Sequence, residues 1–458
     1  MEMRLNDNFT TTNYGLPLFN EEVERYISVI PTENQLRLAN KPFYVFIHFG
    51  MNTSTGREWG SGDEKTSDFN IADIDVKQWV RVIKNSGATG IIFTCKHHDG
   101  FCLWNTNATD FNIMNTVYGK DLVALLSKEC KKNNIDFGVY LSPWDMHEKT
   151  YGESEYNDYF VSQLTELFTS YGKISEVWFD GAKGSNAKAF EYDWKRYYEV
   201  IRKLQPEANI AICGPDIRWV GNEAGKSRNS EFCVVPEYLT LAETVEKNSQ
   251  HAEKDGNKMK QLTSKDEDLG SRKVLEASEK LCWYPAEVDV SVRKGWFHRK
   301  SENLTVKGSK KLFDIYLKSV GNNCTLLLNV PPSKQGVIDK PDIKALKKLG
   351  KKINGIYKNP VLLKEFDKEI EKGYIEYSFD KNVKLKYCVI CEDIRQSQRV
   401  EKYDLYLKLS NGKYVHVYSG TVIGMRKIIK LNKKAVGAVF VVRQSRSVPV
   451  IKEIGFYA

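Results

Sequence analysis

Asp180 is the residue whose setting most invites a chemical role. It closes the apolar run Val-Trp-Phe and precedes Gly181, so a carboxylate falls where a buried strand would end. Polar side chains close other apolar runs in the same way. His48 ends FYVFIH, His97 and His98 end GIIFTCKHH, and Tyr140 lies in FGVYLSPW just ahead of Trp144. Three of the chain's seven histidines belong to this set. The competing structural role for such an Asp is the capping of a following loop or helix.

Histidines beside an Asp first suggest zinc. The first run carries one histidine, however, where metal-dependent barrel hydrolases usually place an H-x-H pair. Neighbouring residues on a strand point to opposite faces, so His97 and His98 share an ion only if the strand ends before them. The expectation is no catalytic metal and no cofactor, with neutral histidines hydrogen-bonding hydroxyl groups instead. No G-x-S-x-G elbow announces a nucleophilic serine, and Cys95 and Cys102 lack an activating neighbour. Two carboxylates are what glycoside hydrolysis requires, one to attack the anomeric carbon or activate water and one to protonate the leaving oxygen. Candidates for a partner to Asp180 are Glu223 in RWVGNEAG, Glu231 before FCVVP and Glu287 in WYPAEVD. Spacing does not choose among them. Glu223 follows a Gly-Asn turn and stands near Trp219, whose indole would shed water from the carboxyl and raise its pKa.

These residues need a scaffold that brings strand ends together. Apolar β-rich runs alternate with helical patterns over the first 330 or so residues. Strands are expected to begin at Phe43, Gly90, Phe137, Glu176 and Asn209, a sixth at Glu231, a seventh at Leu281 and a last at Cys324. Asp75–Lys84 has apolar residues three and four apart, which predicts a helix. Further helices are expected from Lys120, over Tyr156–Tyr171 and over Ala189–Leu204. Eight such runs argue for a (β/α)8-like barrel, whose active site lies at the C-terminal ends of the strands. A doubly wound sheet is the alternative, but no G-x-G-x-x-G and no P-loop follows any run. The polar stretch 241–279 is expected to form a long loop with helical pieces over the barrel mouth. After a Lys-rich helix opened by Pro341 and ending near Ile356, the texture changes to short alternating strands with a Ser-Asn-Gly hairpin turn at Ser410. This predicts a C-terminal β-sandwich, giving a catalytic domain at 1–356 and a sandwich at 357–458.

Composition excludes several classes. The 458 residues carry a net charge of +9 from scattered lysines, not the dense basic stripe that nucleic-acid binding needs. No run approaches the roughly 18 apolar residues of a membrane span. The N-terminus, MEMRLNDNFTTTNYG, has no apolar segment, which fits a cytoplasmic protein or one whose leader has been removed. Oligomeric state leaves no signature. Nine cysteines lie mostly within apolar runs, and the single C-x-x-C pair, Cys388 and Cys391, falls in a predicted strand with no second pair to complete a zinc set.

Six motifs in order, FIHFGMNTSTGREWG, CKHHDGFCLW, GVYLSPW, EVWFDGAKG, GPDIRWVGNEAG and WYPAEVDVSVRKGWF, resemble the α-L-fucosidases of glycoside hydrolase family 29. They are most similar to the subfamily selective for α-1,3- and α-1,4-linked fucose. The resemblance covers most of residues 40–335. It implies a retaining exo-α-L-fucosidase, without a metal, acting on fucosylated glycans such as Lewis-type oligosaccharides. By motif, Asp180 matches the nucleophile and Glu223 the acid/base. His48, Glu58, Trp59, His97, His98, Tyr140 and Trp178 match residues that hold fucose, and Trp296 would wall the pocket beside the sugar methyl. The chain departs from the pattern at Glu231-Phe232, where Glu-Trp is frequent, and at Lys294, where Pro is frequent. Both lie near the region expected to meet the aglycone. Without the resemblance, a carbohydrate-binding protein on an enzyme scaffold and a barrel glycosidase for another sugar remain the alternatives.

Overall fold

The computed structural model describes residues 21–183, 190–249, 262–365 and 373–458. Eight parallel strands form the barrel: β1 (Phe43–Ile47), β2 (Gly90–Lys96), β3 (Asp136–Leu141), β4 (Glu176–Phe179), β5 (Asn209–Ile212), β6 (Arg218–Trp219), β9 (Ala286–Ser291) and β10 (Thr325–Asn329). Their order is β5-β4-β3-β2-β1-β10-β9-β6, and a single parallel bridge between Ala211 and Ile217 brings the two ends together. Alternation along the strands sorts their side chains. Phe43, Val45 and Ile47 face outward to the helix layer, while Tyr44 and Phe46 join Ile92, Tyr140, Trp178 and Leu327 in the lumen. Helices at Val76–Asn85, Leu122–Asn133, Tyr156–Ser170 and Trp194–Leu204 cover the outside between successive strands. Asp75, Asp121 and Asp193 cap three of them, each accepting from a backbone N–H of the first turn. The last helix starts at Trp194, and the expected beginning at Ala189 lies outside the described residues.

The sixth and seventh barrel strands differ from the sequence expectation. The apolar run after Glu231 forms β7 (Val234–Pro236), which pairs antiparallel with β8 (Leu281–Trp283) in a separate two-stranded sheet. The barrel instead takes Arg218–Trp219 and Ala286–Ser291. The latter reads Ala-Glu-Val-Asp-Val-Ser, with two carboxylates where a barrel strand normally turns aliphatic side chains inward, so apolarity hid it. β5 and β6 run parallel with only five residues between them. Ile212, in the left-handed region at φ 70°, turns the chain there without a crossover helix. Within 241–279, helices are seen at Ala242–Ser249 and Arg272–Glu276, and residues 250–261 lie outside the described ones.

The helix Lys340–Ile356 leads to six antiparallel strands: β11 (Pro360–Glu365), β12 (Tyr374–Glu392), β13 (Val400–Lys408), β14 (Tyr414–Gly420), β15 (Lys427–Ser445) and β16 (Ile451–Tyr457), in the order β11-β16-β12-β15-β13-β14. The segments YIEYSF and LKYCVICED belong to one 19-residue strand interrupted by irregular register, longer than the short strands expected. β13 and β14 form the expected hairpin over Ser410-Asn-Gly. Cys388 and Ile390 enter the sandwich core, while Val389 and Cys391 pack on the barrel. The C-x-x-C cysteines therefore face opposite sides of the sheet, and both are free thiols.

Candidate active site

The C-terminal ends of the barrel strands enclose an open cavity of about 130 Å³. It is lined by His48, Trp59, His97, His98, Trp178, Asp180, Glu223 and Trp296, together with Phe46, Ile212, Trp219 and Asp289. Of the site residues expected from sequence, Glu58 and Tyr140 do not line it; they hold residues that do. All the others converge there from β1, β2, β4 and the loops after β6 and β9.

Asp180 follows β4, and both of its oxygens are held. The Ala182 backbone N–H donates to Oδ1 at 2.8 Å and the Tyr140 hydroxyl to Oδ2 at 3.1 Å. Burial, and next the Asp180 charge, push the Tyr140 pKa well above the usual phenol value, so the hydroxyl stays a donor. One carboxylate is thereby fixed in orientation with its face open to the cavity.

The histidines owe their states to what lies behind them. β2 ends at Lys96, so strand alternation no longer applies and the rings of His97 and His98 turn into the same cavity, their centroids 4.1 Å apart. The Ser142 hydroxyl donates to the Trp144 carbonyl at 2.6 Å and so has no proton left for His98 Nδ1, 2.7 Å away. Nδ1 must carry the hydrogen, and Nε2, 3.8 Å from Asp180 Oδ2, presents a lone pair. His48 is set the same way. Asn329 donates through its amide nitrogen to Ser291 Oγ and the Trp296 carbonyl, leaving Oδ1 to accept from His48 Nδ1 at 3.0 Å. Burial lowers the pKa of all three histidines, that of His48 to about 3, so they are neutral at ordinary pH. His97 Nδ1 is buried with no hydrogen-bond partner among the described residues. Among the described residues no three His, Cys, Asp or Glu side chains are grouped to hold a metal ion.

Glu223 stands exposed at the rim, on a turn after β6 flanked by Gly221 and Gly225, both in the left-handed region. Asn222 stitches this turn, accepting from the Ala224 N–H and donating to the Lys226 carbonyl. Loss of water around the carboxyl, then the negative charge of Asp180, raise the Glu223 pKa above the ordinary value, against a hydrogen bond from Trp296. The other two candidates for a second carboxylate do not line the cavity. Glu231 is buried in ion pairs with Arg218 and Arg228, which hold its pKa below the usual range although burial alone would raise it. Glu287 is buried in the lumen, where it accepts from the Trp178 indole at 3.0 Å.

Trp59, 47% exposed, is the outermost aromatic wall and packs edge-on to His98 and Trp144. Glu58 accepts from the Trp296 backbone N–H and from Arg299, approaching where Gly295 has no side chain; a Cβ there would lie 2.6 Å from Oε2. Glu58 thus pins the loop that carries Trp296. The supports Ser142, Asn329 and Asp289 were not picked out from sequence. A short polar residue two positions after Tyr140 and the Asn closing CTLLLN both fit the pattern of polar strand ends, and only Asp289 broke it by lying inside a strand.

An eight-stranded parallel barrel whose mouth gathers carboxyl groups and neutral histidines in an aromatic cup is a glycoside hydrolase site. Comparison with known proteins agrees. The α-L-fucosidase family model matches residues 63–355. Alpha-L-fucosidase 1 of Arabidopsis thaliana is 35% identical over 467 residues, covering 93% of this chain and 87% of the plant protein. Among solved structures, a glycoside hydrolase 29 family member from a rumen bacterium is 35% identical at a TM-score of 0.79, covering 94% of this chain and 77% of its own. The Ruminococcus gnavus GH29 fucosidase in complex with fucose is 28% identical at a TM-score of 0.80, covering 99% and 98%. The chain belongs to the α-L-fucosidase family, glycoside hydrolase family 29.

Proposed function

We propose that this α-L-fucosidase is exo-acting and retaining, with Asp180 as nucleophile and Glu223 as acid/base, and that it prefers terminal fucose in α-1,3 or α-1,4 linkage on Lewis-type glycans. The observation that carries the assignment is that Asp180 and Glu223 line the same small cavity; loss of water and then the Asp180 charge raise the Glu223 pKa, which suits a proton donor. Asp180 attacks the anomeric carbon while Glu223 gives its proton to the departing glycosidic oxygen, leaving a β-fucosyl ester. Glu223 then takes a proton from water, which attacks the same carbon, frees Asp180 and releases L-fucose in its original α configuration. The Nε2 lone pairs of His48 and His98 accept from ring hydroxyls, and Trp178, Trp59 and Trp296 give the deoxy sugar's methyl group apolar walls. The linkage preference rests on the motif resemblance.

Asp180→Gly is expected to lose nearly all turnover of an aryl α-L-fucoside and to regain part of it with azide, yielding β-fucosyl azide. Glu223→Ala is expected to slow poor leaving groups far more than activated aryl fucosides. β-Fucose as the first-formed product by NMR, or the leaving-group signature appearing in Glu287→Ala and not in Glu223→Ala, would overturn the roles. Faster hydrolysis of 2′-fucosyllactose than of Lewis-type trisaccharides would overturn the linkage.

A further inference from the structure

β9 carries two carboxylates two residues apart, Glu287 and Asp289, which therefore point to the same side, into the barrel. Each receives an indole. Trp178 Nε1–H donates to Glu287 Oε1 at 3.0 Å, and Trp219 Nε1–H donates to Asp289 Oδ1 at 2.9 Å. Both indoles line the cavity that Asp180 and Glu223 also line. Placing two carboxyls inside a barrel is costly without compensating contacts. Glu287 is 1% exposed and Asp289 3%. Beneath them Glu176 on β4 is fully buried, and neither of its oxygens has a hydrogen-bond partner among the described residues. Aliphatic residues would fill the same lumen more cheaply, so the recurrence of one pattern, carboxyl to indole, at adjacent inward positions of one strand calls for a role in the site.

We propose that Glu287 and Asp289 are positioning residues that lock the Trp178 and Trp219 indoles, and through them shape the sugar wall next to Asp180 and the leaving-group wall next to Glu223. Trp178 also packs edge-on to Phe46 at 5.1 Å and stacks on Tyr140 at 5.5 Å within the lumen cluster. Apolar contacts of this kind have little directionality, and the hydrogen bond to Nε1 supplies it. The inference deepens the proposed function and rests on its assignment of Asp180 and Glu223.

Double-mutant cycles test it. Glu287→Met is expected to lower kcat/KM for an aryl α-L-fucoside and the calorimetric affinity for L-fucose by on the order of tenfold, the size of a lost hydrogen bond to a carboxylate. On a Trp178→Phe background, which has no N–H to hold, the same change is expected to cost less than about twofold. Asp289→Leu with Trp219→Phe is expected to behave likewise, with the loss growing as the leaving group becomes poorer. Glu287→Gln keeps an oxygen acceptor and is expected to retain most of the activity. Equal losses with and without the indole N–H, or a Gln variant as impaired as the Met variant, would overturn the proposal. Should Glu287→Met fail to fold, the Trp178 indole N–H chemical shift decides: it is expected to move in Glu287→Gln and not in Asp289→Asn, and no movement overturns the pairing. The L-fucose titration reads the cycle without turnover, so failure of the positioning role is distinguishable from failure of the catalytic assignment.

Discussion

Removing one hydroxyl from Ser142 is expected to disable the site without touching any group that lines it. Ser142 spends its single proton on the Trp144 carbonyl and obliges His98 to donate through Nδ1. Ser142→Ala leaves that buried N–H unsatisfied, a loss of about 1–3 kcal/mol. The imidazole has an alternative, because moving the proton to Nε2 turns it toward Asp180 Oδ2, 3.8 Å away. The neutral ring is expected to take the second tautomer, since the carboxylate favours it in the same direction. On the proposed mechanism two things then fail together: Nε2 no longer accepts from a sugar hydroxyl, and a hydrogen-bond donor weakens Asp180 as the proposed nucleophile. At about 1.4 kcal/mol per factor of ten, kcat/KM for an aryl α-L-fucoside is expected to fall roughly 10- to 100-fold. Nitrogen-15 NMR of the histidines reports the tautomer directly. A variant with native kcat/KM, or one whose His98 still protonates at Nδ1, would refute the reasoning.

Other outcomes follow from the carboxyls with raised pKa. Because the Glu223 pKa is raised, its acid form persists above the ordinary glutamate range; the alkaline limb of kcat/KM against pH is expected to lie higher than for a free glutamate and to disappear in Glu223→Gln. Asp99 is buried, and burial raises its pKa from 3.8 to about 7. Its folded form holds a proton the unfolded chain has released, so its stabilising contribution is full below about pH 4 and lost as pH rises through about 7. Asp99→Asn, which keeps an oxygen for the Phe101 N–H, is expected to flatten the fall in unfolding midpoint between pH 4 and 8; an unchanged slope would show that Asp99 titrates normally.

Much of this was legible from residue order because a barrel exposes its chemistry at the ends of apolar runs. His48, His97, His98 and Asp180 announced themselves that way, and the aromatic walls came with the motif resemblance. What stayed hidden has a common physical origin. Ala286–Ser291 carries carboxyls inside the barrel, so its pattern imitates a half-exposed strand. Arg218–Trp219 is two residues long, below any periodicity. The apolar run at Val234–Pro236 took the place of a barrel strand in the reading because hydrophobicity does not distinguish a lumen from a satellite sheet. In the sandwich, the register irregularity of the long strand Tyr374–Glu392 looked like a break between two. Spacing left Glu223, Glu231 and Glu287 open and the motif resemblance pointed to Glu223; that Glu231 is neutralised by two arginines is visible only in three dimensions.

The junction between β5 and β6 carries a further consequence. The first four staves are each followed by an outer helix, but the stave that launches Glu223 is two residues long and reached from β5 by a tight turn. Asn222 stitches its turn, and Ser227 and Arg228 tie the following residues to Lys318, Asn322, Ser264 and Asp266. Glu223, the proposed proton donor, is thus carried by a rim loop rather than by a strand end, while Asp180 directly follows β4. Lengthening or re-aiming that rim would alter which aglycones are served while leaving fucose recognition in place, so the architecture lets one half of the specificity drift independently of the other.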